Sequence, residues 1–289
     1  MAHWLETVVQ GILLGGLYAL YATSLSLIFG IMRLVNLAHG DLIVLATYLI
    51  LVIAATAGIH VLLAVAVAVP IMFAVGYVLQ GQILNRTLGR DILPPLLVTF
   101  GLSIILQNGL LQAFSADSRR LPVGPLESAS LQLPGGVAVG LMPFFTLLTA
   151  VALVIGLHLL FYGTRLGRAF RATSDDPETA QLVGINRRRT YALAMGLALA
   201  VATIGGFFLG ARASFDPTIG PARLLYAFEA VIIGGLGSLW GTLAGGIVLG
   251  LAQAIGAAIN PEWQILAGHL AFLAVLIIRP RGLFPRAED

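Results

Sequence analysis

Long apolar runs recur along almost the whole chain, and they leave few architectures open to it. Hydrophobic residues make up 58% of the 289 residues and charged residues only 10%, against about 25% charged residues in soluble domains. A helix needs about 20 mostly apolar residues to cross the hydrocarbon core of a bilayer. Because lipid offers no hydrogen bonds to the backbone, such runs cross it as helices. The sequence therefore predicts an all-α polytopic integral membrane protein.

We predict eight or nine transmembrane segments in a single membrane domain over residues 1–289. Gly234 to Ser238 interrupt the long run at 224–259, which we divide in two, and the part at 224–237 either spans or is re-entrant. Proline and glycine are frequent at about 115–142, which predicts an external loop. The other segments are expected at residues 5–29, 42–57, 61–79, 96–114, 144–162, 191–211 and 263–278.

A polar island at about residues 163–189 separates two of these segments. It carries six arginines against Asp175, Asp176 and Glu178, which marks it as a cytoplasmic loop. This assignment puts the N-terminus outside and the C-terminus in the cytoplasm. The charge pattern is imperfect, because the expected external side also carries the arginines at positions 119, 120, 212 and 223.

The residue types that are missing exclude several functions. All sixteen basic residues are arginine, so the lysine of a GxxxxGK[ST] phosphate-binding loop is absent, and ATP would have to be handled by another subunit. The chain has no cysteine, no HExxH or GxSxG motif and no acidic cluster with metal-ligand spacing. We therefore expect no catalytic residues, no metal and no cofactor. The net charge of +3 suits anionic lipid headgroups better than nucleic acid.

Within the island, the sequence predicts a helix of about two turns. Ser174 or Asp175 can cap it, Pro177 suits its first turn and Gly184 can end it. Ala180, Val183 and Gly184 lie three and four residues apart, so they are expected to form a small-residue face for another protein's groove. The alternative is a solvated connector.

The first and last thirds of the chain share a weak internal similarity. Sliding the chain against itself so that Gly15-Gly16 falls on Gly205-Gly206 also aligns His39 with Glu229. The two copies would start on opposite sides of the membrane, as in an inverted repeat, and such repeats place a path near interrupted helices. We therefore expect the regions of His39 and Glu229 to approach each other.

Carboxylates beside apolar runs need water or a partner, since one at the bilayer centre costs about 2.5–3.5 kcal/mol on insertion scales. Asp41 and Glu229 either line a translocation path with Asn36 and His39, or lie at helix ends near the headgroups. For Asp41 we favour helix capping. The lone histidines at 158 and 269 are expected to bond to backbone carbonyls, and the glycines that recur every four residues from 237 to 250 are expected to pack helices.

The island also resembles a known family. Glu178-Thr179-Ala180, three residues and then Gly184 are similar to the Glu-Ala-Ala...Gly coupling loop of ABC importer permeases, with Thr179 where the family usually has alanine. In that family the loop is a short helix seated in a cleft of the cytoplasmic ATPase. The resemblance implies that the ATPase-coupling residues are Arg171, Asp175, Asp176, Glu178, Thr179, Ala180 and Gly184.

Three further strings resemble the branched-chain amino-acid ABC transporter permeases of the LivH type: residues 35–41 (VNLAHGD), 228–242 (FEAVIIGGLGSLWGT) and 279–284 (RPRGLF). They follow the family's order from the first helix to the last. The resemblance implies a second permease subunit, two cytoplasmic ABC ATPases, an external solute-binding protein and the bacterial inner membrane. Related permeases serve urea, amides or other small organic solutes, and a stand-alone secondary transporter is a further alternative.

Overall fold

The computed structural model describes residues 2–89, 91, 93–133 and 137–284. Within these ranges the regular structure is helical except for an antiparallel hairpin of β1 (Ser130–Leu133) and β2 (Val137–Gly140), which lies in the predicted external loop. The helices are α1 (Ala2–Met32), α2 (His39–Ala57), α3 (Val61–Val78), α4 (Leu93–Phe114), α5 (Leu141–Gly163), α6 (Arg165–Asp175), α7 (Pro177–Leu182), α8 (Arg187–Arg212), α9 (Gly220–Gly234), α10 (Leu239–Ile259) and α11 (Trp263–Ile278).

The helical segments match the predicted polytopic class. In the described part of the chain, seven helices are long and apolar enough to cross a membrane, namely α1 to α5, α8 and α10. The other two predicted segments form shorter helices, of 15 residues in α9 and 16 residues in α11. Gly235, with φ of 108°, ends α9 and separates it from α10, as the glycine-rich interruption in the sequence predicts.

Helices α1 and α8 form the centre of the bundle. Their most apolar 18-residue windows are 83% and 78% buried, against 17–28% for α3, α4 and α5. Both central helices are rich in alanine and glycine, which lets neighbouring helices approach closely from several sides. The outer helices instead present leucine, valine, isoleucine and phenylalanine outward, as expected of a surface that faces lipid.

The bundle contains an inverted repeat that relates α1–α2–α3 to α8–α9–α10. Helix α1 packs most extensively on α10, and α8 does the same on α3. Helices α1 and α8 run in opposite directions, because Arg212 at the end of α8 bonds to Leu13 in the first half of α1, whereas Gly205 faces Tyr21.

The helix limits give the register of this repeat. Aligning α1 with α8 at their last residues pairs Met32 with Arg212, and aligning α2 with α9 at their first residues pairs His39 with Gly220. The predicted register, which pairs His39 with Glu229, is therefore wrong, although the inverted repeat itself is present. The glycine pairs that suggested the predicted register recur too often in this chain to fix it.

Helices α2 and α9 both begin inside the bundle. His39, the first residue of α2, lies 3.1 Å from both the Ser24 hydroxyl and the Tyr21 carbonyl, well before the end of α1 at Met32. Residues 33–38 therefore turn back from the end of α1 into the interior. The starts of α2 and α9 thus meet inside the bundle, at a depth where α1 is still continuous.

The segment after α4 is attached to the end of α8. Arg119 and Phe215 exchange two backbone hydrogen bonds of 2.8 and 2.9 Å, and the Leu121 amide donates to the Gly210 carbonyl over 2.9 Å. Buried Phe215 also packs on Tyr48 of α2, with ring centroids 5.0 Å apart. The predicted external loop is thus anchored to the repeat.

Candidate functional site

Helix α7 begins and ends with well-defined capping motifs. The Asp176 carboxylate accepts the backbone N–H groups of Glu178 and Thr179 over 2.9 and 3.1 Å, and Pro177 follows it in the first turn. Asp176 is therefore the cap, and the prediction of Ser174 or Asp175 is wrong by one or two positions. Gly184, with φ of 86°, ends the helix as predicted. The Gly184 and Ile185 amides bond back to Gln181 and Ala180, as in a Schellman motif.

The capping carboxylate of Asp176 is ionised at neutral pH. The Thr179 hydroxyl, and then the backbone N–H groups of Thr179 and Glu178, hold the pKa of Asp176 below its usual value. A carboxyl with a lowered pKa in the folded state stabilises that state above its ordinary pKa, and this contribution disappears as the pH falls through the lowered value. The cap therefore persists throughout the neutral range.

The exposed surface of α7 differs from the predicted one. Ala180 is only 3% exposed and packs against its own chain, so it does not share an outward face with Val183 and Gly184. Leu182 and Val183 are instead 86% and 72% exposed. An exposed leucine–valine pair at the end of a short helix is an apolar tip that suits a groove in another protein. We call Leu182 and Val183 the α7 tip.

Helix α6 holds this tip against the membrane helices. Phe170 is fully buried, and the Ser174 hydroxyl donates to the Gly30 carbonyl of α1 over 2.6 Å. The Arg171 guanidinium lies 4.7 Å from the ring centroid of Tyr162 on α5, in cation–π geometry. Asp175, Glu178 and Thr179 are exposed. The island is thus tied to both α1 and α5.

The predicted path residues at the start of α2 are buried in helix contacts. Asn36 and His39 are fully buried, and Asp41 is 1% exposed. The Asn36 side chain accepts the Ala38 amide over 3.0 Å and so shapes the turn that starts α2. Ala38 occupies the cap position without a side-chain hydrogen bond, so Asp41 lies in the first turn and is not the cap. In this conformation these side chains join helices and do not line an open path.

Asp41 lies where the two interrupted helices meet. The Ser103 hydroxyl of α4 donates to its Oδ2 over 2.5 Å, and Gln107 donates to the Ser103 hydroxyl over 3.1 Å. A Cβ on Gly40 would lie 2.9 Å from the Leu224 nitrogen, and a Cβ on Gly220 would lie 2.9 Å from the Asp41 nitrogen. Only glycine permits this approach, so the starts of α2 and α9 touch through their backbones.

Sequence reasoning missed the α4 residues that contact this junction. The hydroxyls of Thr99 and Ser103 bond to the Leu37 amide and to Asp41. With Gln107 they recur every four residues, which places all three on one face of an otherwise apolar helix. That polar stripe was a readable signal of a buried polar contact.

Glu229 pairs with His269 and not with the region of His39. Its Oε1 and the His269 Nδ1 form a close contact between α9 and α11, with the Glu229 side chain almost fully buried. The residue of α9 that meets the start of α2 is Gly220, nine positions earlier. The expectation that His269 bonds to a backbone carbonyl is therefore wrong. His158 packs on aromatic rings, 4.6 Å from the Tyr162 centroid and 6.1 Å from that of Trp240, and its predicted bond to a carbonyl stays a prediction.

A cavity of about 720 Å³ lies between the junction and the island. Its walls include Arg33 and Val35 from the α1–α2 connection, and Pro177 and Glu178 from α7. It therefore separates the segment that leads into α2 from the helix that carries the exposed tip. Among the described residues, no group of histidine and acidic side chains is arranged to hold a metal ion.

The arrangement is that of a membrane transport protein: two inverted three-helix units, each with an interrupted helix that starts in the interior. Comparison with known proteins narrows the class. The chain belongs to the family described as branched-chain amino acid transport system, permease component, which matches residues 7–278.

Individual relatives agree with that family. The chain is 30% identical over 306 residues to the high-affinity branched-chain amino acid transport system permease protein BraD of Pseudomonas aeruginosa, covering 99% of this chain and 97% of BraD. It is 30% identical over 304 residues to LivH of Escherichia coli, with the same coverage of both chains. A solved structure, PsaBC from Streptococcus pneumoniae in complex with Fab, is similar with a TM-score of 0.51 and 14% identity over 95% of this chain and 92% of that chain. The structural similarity supports the fold alone.

Proposed function

We propose that this chain is the permease subunit of an ATP-driven importer and forms the translocation path for amino acids, with leucine, isoleucine and valine as the leading substrates. The observation that carries this proposal is the full-length match to permeases named for branched-chain amino acids. The chain itself is non-catalytic in this proposal, because it lacks the lysine of a phosphate-binding loop. ATP is hydrolysed by separate subunits.

The α7 tip is the proposed docking point for the ATPase. Exposed Leu182 and Val183 supply the apolar contact, and exposed Glu178 and Thr179 border it. Ala180 and Gly184 have a different part in this proposal, since buried Ala180 packs α7 against its own chain and Gly184 ends the helix. Asp176 caps the helix, Arg171 contacts Tyr162 of α5, and Asp175 is exposed beside them.

The cavity beside α7 suggests how ATPase movement reaches the interior. A displacement of Pro177 and Glu178 changes the shape of a space whose opposite wall is the α1–α2 connection. That connection leads directly to the buried junction at Asn36, His39 and Asp41. We propose that transport requires α2 and α9 to separate there, which would expose these side chains, together with Glu229, to the passing solute.

The proposed assembly contains a second permease subunit, two cytoplasmic ABC ATPases and an external solute-binding protein, and it resides in the bacterial inner membrane. The island is then cytoplasmic, the N-terminus lies outside and the loop with the β1–β2 hairpin faces the binding protein. The buried Glu229–His269 contact favours one rival, a secondary transporter that works alone, because ion-coupled carriers use intramembrane ionisable groups.

Uptake of radiolabelled leucine into proteoliposomes tests the proposal. The complex of this chain with its ATPases, second permease and binding protein should accumulate leucine only when ATP is present on the ATPase side. Accumulation by this chain alone under a proton gradient would establish the secondary transporter instead. Uptake of urea but not of leucine by the full complex would replace the substrate and keep the importer.

A further inference from the structure

Two arginines lie between α1, α8 and α9, and neither has an acidic partner within the described part of the chain. Arg212 ends α8 and Arg223 lies in the second turn of α9. Tyr18 and Tyr21 of α1 are each within electrostatic range of both guanidinium groups. Among the described residues, neither arginine forms an ion pair. Two positive charges therefore lie near α1, and no described acidic side chain pairs with either of them.

The protein contacts of these guanidinium groups are few. Arg212 donates to the Leu13 carbonyl over 3.3 Å, and Arg223 lies 5.8 Å from the ring centroid of Tyr226. The Arg223 Nε is buried without a hydrogen-bond partner in the described part of the chain. An unpaired buried donor on a charged group costs more than an ordinary unpaired donor, so its presence calls for a compensating ligand.

The surroundings provide donors for an anion. The Tyr21 hydroxyl is fully buried and has no hydrogen-bond partner among the described residues. The Tyr18 hydroxyl is held by Gln253 over 2.6 Å, which fixes its ring 5.0 Å from the Tyr226 ring. The two guanidinium groups and the unpaired Tyr21 hydroxyl give this region more hydrogen-bond donors than the described residues satisfy. Such a site suits a planar carboxylate.

The site can be reached from one flank of α9. Arg212, Arg223 and Tyr226 are half-buried, and the neighbouring Leu225 is 47% exposed. Asp41 lies at the α9 start, where Ser103 binds it, and among the described residues it forms no ion pair with Arg223. Both arginine side chains are therefore partly exposed, close to the junction of the interrupted helices.

We propose that Arg212 and Arg223, with Tyr21, bind the carboxylate group of the transported solute. This inference rests on the proposed function, in which the solute is an amino acid. Arg223 provides the main charge–charge and hydrogen-bond contact, and Arg212 adds to the positive potential. The site selects solutes that carry a carboxylate over neutral amides and urea.

Thermal unfolding of the full-length chain in phosphatidylcholine nanodiscs tests the site without transport. Sodium isovalerate carries the carboxylate and apolar chain of leucine without its amine, and isoamylamine carries the amine without the carboxylate. The Tm of the wild type should rise with the logarithm of isovalerate concentration, relative to sodium chloride at equal ionic strength, and should not rise with isoamylamine. Arg223→Gln should abolish this rise, and Arg223→Lys should retain part of it.

The control is Arg120→Gln, which removes an exposed arginine from the segment after α4 and should keep the full isovalerate response. An equal rise in Arg223→Gln, or an equal rise with isoamylamine, would overturn the carboxylate site. The site would also be overturned if phosphatidylglycerol discs raised the Tm and isovalerate then had no further effect. That result would assign the arginines to binding lipid phosphate. Leucine import without an isovalerate response would reject the site and leave the importer standing. An Arg223-dependent isovalerate response without leucine import would keep the carboxylate site and reject the importer.

Discussion

At the scale of single residues, the buried polar side chains act as cross-links between helices. His39 contacts α1, Asp41 contacts α4, and Glu229 contacts α11. Each of these residues was recognisable in the sequence as polar and costly in lipid, but its partner was not. Glu229 and His269 are 40 positions apart, and only the packing of α9 against α11 brings them together. The sequence alone therefore shows that a buried polar residue needs a partner, but it does not identify that partner.

Removing the Ser103 hydroxyl should destabilise the bundle, because Asp41 then keeps a buried carboxylate oxygen without its donor. We expect Ser103→Ala to lower the free energy of unfolding by about 1–3 kcal/mol. Chemical unfolding in mixed micelles measures this, with Ser128→Ala in the exposed loop as the control. In the Asp41→Asn background the cost of Ser103→Ala should shrink. Equal stabilities for Ser103→Ala and Ser128→Ala would contradict the contact.

At the scale of helices, sequence signals were reliable for features that neighbouring residues determine, such as the ends of α7. Pro177 and Gly184 mark the limits of α7 because each imposes its own backbone geometry. Asp175 and Asp176 are chemically alike, so the cap could not be placed between them from sequence. The orientation of α7 depends on its attachment to α6 and α1, and for that reason the burial of Ala180 was not predictable. That burial also makes Ala180→Arg a poor test of docking, since it would disrupt the chain itself.

Leu182 offers a cleaner test of the α7 tip. Because its side chain is 86% exposed, Leu182→Glu should leave the fold intact, yet it would bury an unpaired charge if the tip enters a groove. We expect the ATPase to be lost from affinity-purified complexes by more than tenfold. Leu131→Glu makes the same change at a 48% exposed position in β1 and should retain the ATPase. Full retention by Leu182→Glu would place the ATPase contact elsewhere.

At the scale of the whole molecule, hydropathy was sufficient to predict the polytopic class. Of the eight or nine transmembrane segments predicted, seven described helices are long and apolar enough to span a membrane, and the depth of the helices was not predicted. The apolar run at 224–259 and its glycine interruption predicted α9 and α10 as separate helices. Helices α2 and α9 start in the interior because their backbones are in contact at Gly40 and Gly220. The hydrophobic periodicity of these segments does not indicate this contact. A repeat with few shared identities also allowed a wrong register.

Cysteine labelling tests the orientation of the whole chain, and the native sequence offers no competing thiol. Cysteines at Ser128 and Ser214, both exposed, should react with an impermeant maleimide from outside intact cells. A cysteine at Leu182 should react only after permeabilisation. Thr173, although part of the island, is fully buried and would stay unlabelled in either orientation. Labelling of the Leu182 position in intact cells would invert the topology and remove the proposed ATPase contact.

The central position of α1 has a consequence for the order of events during synthesis. Gly15 of α1 packs on Gly246 and Ile247 of α10, which are made only when most of the chain has left the ribosome. At ribosomal rates of about 5–20 residues per second, α1 waits in the bilayer for roughly 10–50 s before this neighbour emerges. During that interval Gly11 and Gly15, which pack on α10 in the finished bundle, lack this neighbour. Helix α1 is therefore made long before the helix that encloses it, and its packing is completed only late in synthesis.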